Sequence, residues 1–228
     1  MALTKTQENI KSENSVESEV LESQKGYMFV KRTFDIFGSL FGLVILSPLF
    51  LLITLLYLFG EQKGPVFFKQ RRLGKGGEIF HIYKFRSMIV NADQKLKENK
   101  LLYKKYLENN YKLEPSEDPR ITNIGRFLRK TSLDELPQLL NVLKGEMSLV
   151  GPRPIVIEEL EEYSEKKHIF LSVKPGVTGY WQISGRSDVG YPERVDLELY
   201  YIYNKNFKFD IKILIKTVVD ILRSKGAY

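Results

Sequence analysis

The chain has 228 residues, a formal net charge of +7 and a 43 % apolar share, enough to bury a core and to favour anionic partners: nucleic acid, acidic lipid headgroups or phosphorylated small molecules. It has no cysteine, which excludes disulfides, thiolate metal sites and thiol nucleophiles and suits a cytosol-facing protein. Its two histidines, His81 and His168, stand far apart in no ligand-like spacing, so no zinc site is expected.

Residues 1–26 are rich in Ser, Glu, Asn and Lys without a period that would bury a face, and read as a disordered polar tail. Residues 27–60 read as a membrane-inserted helix. Ile36 to Gly60 holds no charged residue, and about 25 positions at ~1.5 Å each can cross a ~30 Å hydrocarbon layer. A cleaved signal peptide is the rival; the polar, glutamate-containing tail before the run and the lack of a small-x-small site after it argue against that. Ser47-Pro48 interrupts the centre. Proline removes a backbone donor and clashes with the carbonyl four residues earlier, so a bend is expected there, with the serine hydroxyl available to the freed backbone. Lys25, Lys31 and Arg32 precede the run, and Lys63, Lys69, Arg71 and Arg72 follow it, so the positive-inside bias favours neither end. A re-entrant helix that returns to the same face satisfies both flanks; a kinked spanning helix remains the alternative.

Residues 61–228 read as one compact domain on the cytosolic face. GPVFFKQRRLGKGGEIFHIYKFRSM predicts a hairpin, Val66–Lys69 and Ile79–Phe85, around Gly74, Gly76 and Gly77. From about Asp93 to Asn110 the period is helical, with Leu96, Tyr103, Tyr106 and Leu107 on one face, and PSEDPR ends it. A short helix with Leu136, Leu139, Leu140 and Leu143 stops at Gly145. Two further helices are predicted over Glu193–Tyr203 and Asp210–Lys225. In the last, Ile211, Leu214, Ile215, Val218 and Leu222 oppose Lys212, Lys216 and Arg223, a pattern equally suited to lying on an anionic bilayer or to packing in a core. The class is α+β, mainly helical with a small antiparallel hairpin and amphipathic interfacial helices.

TSLDELPQLLNVLKGEMSLVGPRP, Thr131 to Pro154, holds two adjacent carboxylates, Asp134 and Glu135. Ser132-Leu133-Asp134-Glu135 fits a capping box, and acidic residues in a first helical turn gain ~0.3 to 1 kcal/mol each from the helix dipole. Pro137 fits better with a start at Asp134. Chemistry is the other reading. Arg120, Arg126, Arg129 and Lys130 precede the pair and Arg153 follows it on the rigid GPRP loop, a set suited to neutralising phosphoryl oxygens beside a carboxylate that holds a divalent metal.

KRTFD, the Ser47-Pro48 break, YKFRSM, KTSLDELPQLLNVLKGEMSLVGPRP, KPGVTGYWQISGR and DLELYYIYN, in this order, resemble the monotopic polyprenyl-phosphate phosphoglycosyl transferases of the bacterial sugar transferase family. The resemblance covers nearly all of Lys31 to Tyr228. It implies a membrane-bound enzyme that moves a hexose-1-phosphate from a UDP-sugar to undecaprenyl phosphate, releases UMP and starts a capsule, exopolysaccharide or O-antigen glycan. It implies that Asp134 is the nucleophile and forms a phosphosugar-aspartyl intermediate, that Glu135 assists as metal helper or general base, and that Mg²⁺ sits with Asp134 and the diphosphate. It assigns phosphate contacts to Arg153, an active-site basic position to Arg129 and a further site position to Lys84. It also implies the re-entrant helix at Ser47-Pro48 and a cytoplasmic-face location on the bacterial plasma membrane.

In PGVTGYWQISGR, Gly176, Gly179 and Gly185 permit close backbone approach, Trp181 offers a stacking face and Arg186 a charge; a nucleotide-binding loop and a plain turn both fit. Where the family often reads GLWQ or GWAQ, this chain has Gly179-Tyr180-Trp181-Gln182, which leaves the sugar open, and the ending RSKGAY resembles members that transfer galactose- or glucose-1-phosphate. A homodimer is left open. A nucleic-acid role is not expected, since no recognition motif accompanies the basic residues. The rival function is a membrane-tethered, non-catalytic binding or regulatory protein of the same pathway, against which stands the intact set of Asp134, Glu135 and Arg153.

Overall fold

The computed structural model describes residues 2–59, 63–108, 113, 118–185 and 188–223, with side chains described from Lys25 onward apart from 93, 107 and 108. Except for Lys25 and Gly26, the expected polar tail lies outside the described side chains. So does the charge expected at Arg186.

Helix α1 is Ala2–Leu56, and its segment Lys25–Leu56 is long and apolar enough to cross a membrane. Only 11 % of its most apolar window is buried. Val44 and Leu51 in the middle are 63 % and 62 % exposed, whereas both ends dock on the same body. At one end Lys31, Arg32 and Asp35 bond to partners between Val142 and Asp210. At the other, Ile53 and Tyr57 are buried with Phe85 and Leu128, and the Tyr57 hydroxyl donates to the Arg86 carbonyl. Pro48 lies inside the helix. Its missing N–H would have bonded the Val44 carbonyl, and the Ser47 hydroxyl donates to that carbonyl at 2.7 Å instead.

Strands β1 (Phe67–Leu73) and β2 (Ile79–Phe85) form the predicted antiparallel hairpin, with Phe67 opposite Phe85 and Leu73 opposite Ile79. β1 is longer than its apolar stretch suggested because backbone pairing continues through Gln70, Arg71 and Arg72. The single helix expected from about Asp93 to Asn110 is two, α2 (Ala92–Glu98) and α3 (Lys100–Glu108). Asn99 separates them: its amide donates to the Leu96 carbonyl, and its side chain accepts from the Leu102 amide at 3.1 Å. A residue that caps in both directions interrupts the ladder without disturbing the apolar period.

α4 (Asn123–Lys130) leads through a 3-10 turn, Leu133–Glu135, to α5 (Gln138–Lys144), which ends at Gly145 with φ 86° as expected. β3 (Ser148–Val150) pairs in parallel with β4 (Gly176–Thr178). Between them lie a 3-10 stretch, Glu158–Lys166, and α6 (Lys167–Phe170). The glycines here are there for contact: a Cβ on Gly176 would stand 2.1 Å from the Gly151 nitrogen, and one on Gly179 would stand 2.0 Å from the Gly151 oxygen. The KPGVTG loop is thereby pressed against GPRP.

α7 (Tyr180–Ile183), α8 (Glu193–Asn204) and α9 (Phe207–Leu222) complete the described fold, which is α+β and mostly helical. The main core gathers Val150, Ile155, Tyr163, Phe170, Leu199, Tyr201 and Ile213. α9 starts three residues earlier than predicted because Asn206 caps it, accepting from the Phe209 amide at 3.0 Å. Its buried residues are Asp210 and Ile213; of the predicted stripe, Ile211 and Leu214 are half-buried, Leu214 against the main core, whereas Ile215, Val218 and Leu222 are exposed. The stripe is therefore divided, with Leu214 packing on the core and its Ile215, Val218 and Leu222 side turned outward, as an interfacial helix would present it.

Candidate active site

The carboxylate pair sits where the chain turns between α4 and α5. The Thr131 amide closes α4 on the Phe127 carbonyl, and Ser132 takes a left-handed conformation, φ 56°. The Glu135 amide then bonds back to the Ser132 carbonyl, giving the 3-10 turn. The capping box expected at Ser132 does not form: its side chain makes no cap bond to this turn, and α5 begins only after Pro137. Proline in that place loses no helical donor. Asp134 is left on a tight turn rather than inside a helix.

Asp134 is buried, 7 % exposed. Burial raises its carboxyl from the ordinary 3.8 to about 6, the neighbouring Glu135 adds to the rise, and Lys84 and Arg129 oppose it. Glu135 pairs with Lys84 at 2.6 Å, which links this turn to strand β2. Arg129, from the last turn of α4, donates to the Ser87 hydroxyl at 2.8 Å. Burial lowers its pKa while the Asp134 charge pulls it back up.

A small, open cleft lies beside this turn, lined by Lys84, Glu135 and Arg153 among the expected site residues and by Arg72, Gln138 and Gln182 among others. Asp134 is not on its wall; Glu135 is. Arg153 is held from beneath: its amide donates to Glu198 Oε1 at 3.2 Å, and its guanidinium stands 5.6 Å from the Trp181 ring centre. Glu198, at the heart of DLELYYIYN, also accepts from the Tyr163 hydroxyl and from Arg194 Nε. Burial pushes its carboxyl up, and Arg194 holds it down.

Trp181 does not offer the stacking face that its sequence context suggested. It is 8 % exposed, its Nε1 donates to the Val189 carbonyl at 2.9 Å, and the Arg194 guanidinium lies 4.6 Å from its ring centre. A tryptophan engaged in this way supports arginines rather than a base. Tyr180, in the position that left the sugar open, packs against Tyr200 and Phe209.

The structure thus brings Lys84, Arg129, Asp134, Glu135 and Arg153 together from four parts of the chain, while Ser47 and Pro48 belong to the membrane segment. Sequence reasoning missed Arg72, Gln138, Gln182, Glu159 and Glu198. Arg72 was visible only as one of several basic residues after the apolar run, and Glu198 only as a letter in a run of resemblance. The sequence profile described as "Bacterial sugar transferase" matches residues 26–224.

The chain belongs to the bacterial sugar transferase family.

This sugar transferase is 49 % identical over 209 residues to an undecaprenyl-phosphate galactose phosphotransferase of Salmonella typhimurium, a match covering 90 % of this chain and 43 % of that protein. It is 45 % identical over 202 residues to the exopolysaccharide production protein ExoY of Sinorhizobium fredii, covering 87 % of this chain and 88 % of that protein. It is 36 % identical over 207 residues to a UDP-N-acetylgalactosamine-undecaprenyl-phosphate N-acetylgalactosaminephosphotransferase of Aeromonas hydrophila, covering 88 % of this chain and 45 % of that protein. The sugar transferase chain therefore spans under half of two of these relatives and most of the third.

Proposed function

We propose that this protein transfers a hexose-1-phosphate from a UDP-sugar to undecaprenyl phosphate, with Asp134 as nucleophile. The observation that carries the reading is the buried carboxylate of Asp134, 7 % exposed, under the influence of Lys84 and Arg129, its carboxyl raised by burial, next to a cleft that Arg72 and Arg153 line. At pH 7 such a group is ionised yet more basic than an ordinary aspartate, as a phosphorus nucleophile should be. An Asp134 oxygen attacks the β-phosphorus, the bond to the bridging oxygen breaks, and UMP departs with the electron pair. The lipid phosphate oxygen then attacks the same phosphorus, which restores the Asp134 carboxylate and yields the polyprenyl-diphosphate sugar. Lys84 and Arg129 offset the negative charge that the first step concentrates, and Arg153 offers a fork for phosphoryl oxygens.

The donor set suits Mg²⁺. Asp134 and Glu135 would offer adjacent hard carboxylate oxygens from one turn. Such a site fits an ion that takes its remaining ligands from phosphate and water. When bound, Mg²⁺ would neutralise diphosphate charge, with Asp134 holding it and Glu135, now paired to Lys84, assisting.

The docking of both ends of the apolar run on one body supports a re-entrant helix, which would leave the catalytic cleft at the cytoplasmic surface where a soluble donor and a lipid acceptor meet. Cysteines placed near residues 10 and 225 are both expected to resist labelling from outside intact cells, and labelling of either would overturn that topology. For the reaction, purified protein with Mg²⁺, undecaprenyl phosphate and a UDP-sugar panel should release UMP. UDP-galactose is the first donor to test, given the name of the Salmonella relative. Undiminished release by Asp134→Asn would remove Asp134 as nucleophile. No release with any donor would leave the non-catalytic reading.

A further inference from the structure

We infer that Arg72 is a second phosphate-binding arginine of the cleft, acting with Arg153 on the phosphoryl group that departs with the nucleoside. The inference rests on the transferase reading and extends it to a residue outside the expected site. Arg72 sits on β1 opposite Phe80 and lines the same cleft as Lys84, Glu135 and Arg153. Its side chain is 12 % exposed, held by Gln70 Oε1 at 2.8 Å and by a long contact to Glu159 Oε1 at 3.4 Å.

The charges around it do not balance. Glu159 is shared with Arg194 at 3.1 Å and with the Tyr191 hydroxyl at 3.0 Å. Glu198 is occupied by Arg194, Tyr163 and the Arg153 amide. Apart from Lys84 and Glu135, which pair with each other, three guanidinium groups thus face two carboxylates, and among the described residues the Arg153 guanidinium has no ion pair. Burial lowers the pKa of Arg72, and Arg153 is the next contributor. Side-by-side arginines are a poor way to stabilise a fold and a good way to receive a dianion, since each fork presents parallel donors to phosphate oxygens.

The cations at and around the cleft fall into two groups. The charges that act on Asp134 are those of Lys84, Glu135 and Arg129, whereas those that act on Arg72 are Arg153, Glu159, Arg194 and Glu135. Glu135 is the shared neighbour. A diphosphate with its attacked phosphorus against Asp134, near Lys84 and Arg129, would offer its other phosphoryl group to Arg72 and Arg153.

Trp181 is the protein's one tryptophan and stands 5.6 Å from Arg153, so its fluorescence should report anions binding there. UMP is titrated into purified Asp134→Asn protein, which cannot turn over, with and without Arg72→Gln or Arg72→Lys. Arg72→Gln should weaken UMP binding at least ten-fold, and Arg72→Lys, which keeps the charge but not the fork, several-fold. If circular dichroism shows that the glutamine variant does not fold, the lysine variant decides. UMP binding unchanged by substitution, or absent from the Asp134→Asn parent, overturns the inference. If UMP binding depends on Arg72 while the wild-type protein releases no UMP from any UDP-sugar, the transferase reading falls and the phosphate site stands. If turnover is intact in the wild type and Arg72 is immaterial to UMP, only the present inference falls.

Discussion

Two of the polar clusters among the described residues, one where α1 meets the body and one at the turn after α4, treat their charges differently. In the first, Asp210 accepts from Lys31 at 2.7 Å, Tyr27 at 2.9 Å and Tyr201 at 2.8 Å. Asp35 accepts from the Ser148 hydroxyl at 3.0 Å and the Leu149 amide at 2.9 Å, and Arg32 donates to the Val142 and Leu143 carbonyls at the end of α5. Each acid there has several partners. In the second, Asp134 is buried with its pKa raised, its neighbour Glu135 rather than itself takes the Lys84 ion pair, and two arginines adjoin across the cleft. A saturated cluster resists rearrangement, whereas an unbalanced one is stabilised by the ligand that completes it. The first should behave as an anchor and the second as a site.

The largest effect that separates them is kinetic. Asp134→Asn should lower UMP release by roughly 10⁴-fold or more, the scale expected when a nucleophile is removed, while the protein stays folded. Asp210→Ala should do the reverse. It leaves the half-buried Lys31 without its ion pair and Tyr27 and Tyr201 without their acceptor, at a cost of about 3 kcal/mol, so the thermal midpoint in detergent drops sharply while the activity of the molecules still folded persists. An Asp210→Ala protein as stable as the parent would remove the anchor from the comparison.

The two clusters also differ in how far the sequence displayed them. The hairpin and the stop at Gly145 were legible because local periods and turn residues encode them, whereas the grouping of Lys84, Arg129, Asp134, Glu135 and Arg153 was implied by the family resemblance. The left-handed Ser132 was not. Nothing local distinguishes it from a cap, since its conformation is set by the double turn needed to link α4 to α5. Arg72 was legible as charge only: its role depends on the β1–β2 register and on Glu159, 87 positions away. Trp181 failed for a similar reason, because whether an aromatic face is open or covered by Arg194 is decided by α8 packing against α7. The anchor partners Lys31 and Asp210 are 179 positions apart, and no pattern in either segment announces the other.

A smaller effect turns the site's imbalance into stability. The folded-state pKa of Asp134, about 6, lies above its ordinary 3.8, so the folded protein binds a proton more tightly than the unfolded chain. Above pH 6 the ionised group therefore destabilises the fold, on the order of 3 kcal/mol. As pH falls through about 6 the proton is taken up and the penalty shrinks, vanishing near pH 4. Asp134→Asn should accordingly raise the thermal midpoint at pH 8 in metal-free buffer, with the gain fading towards pH 4. A variant that is less stable than the parent at pH 8 would show that Asp134 is compensated after all, and would erase the contrast with Asp210.

The smallest effect asks whether the anchor's rule, that acceptors are satisfied, extends into the apolar middle of α1. Pro48 leaves the Val44 carbonyl without its helical donor, and the Ser47 hydroxyl supplies one at 2.7 Å. In hydrocarbon an unmet acceptor finds no water, yet measured side-chain hydrogen bonds in membranes average only about 0.6 kcal/mol. Ser47→Ala alone should therefore destabilise the protein by about that much in thermal or denaturant unfolding in detergent. The sharper readout is the coupling. With Pro48→Ala in place the backbone N–H of residue 48 returns to the Val44 carbonyl, so Ser47→Ala should then cost close to nothing, and the two substitutions should be non-additive. An equal cost of Ser47→Ala with proline and with alanine at 48 would mean that the hydroxyl serves something other than the carbonyl that the proline frees. The rule of satisfied acceptors would then end where the helix leaves the protein body.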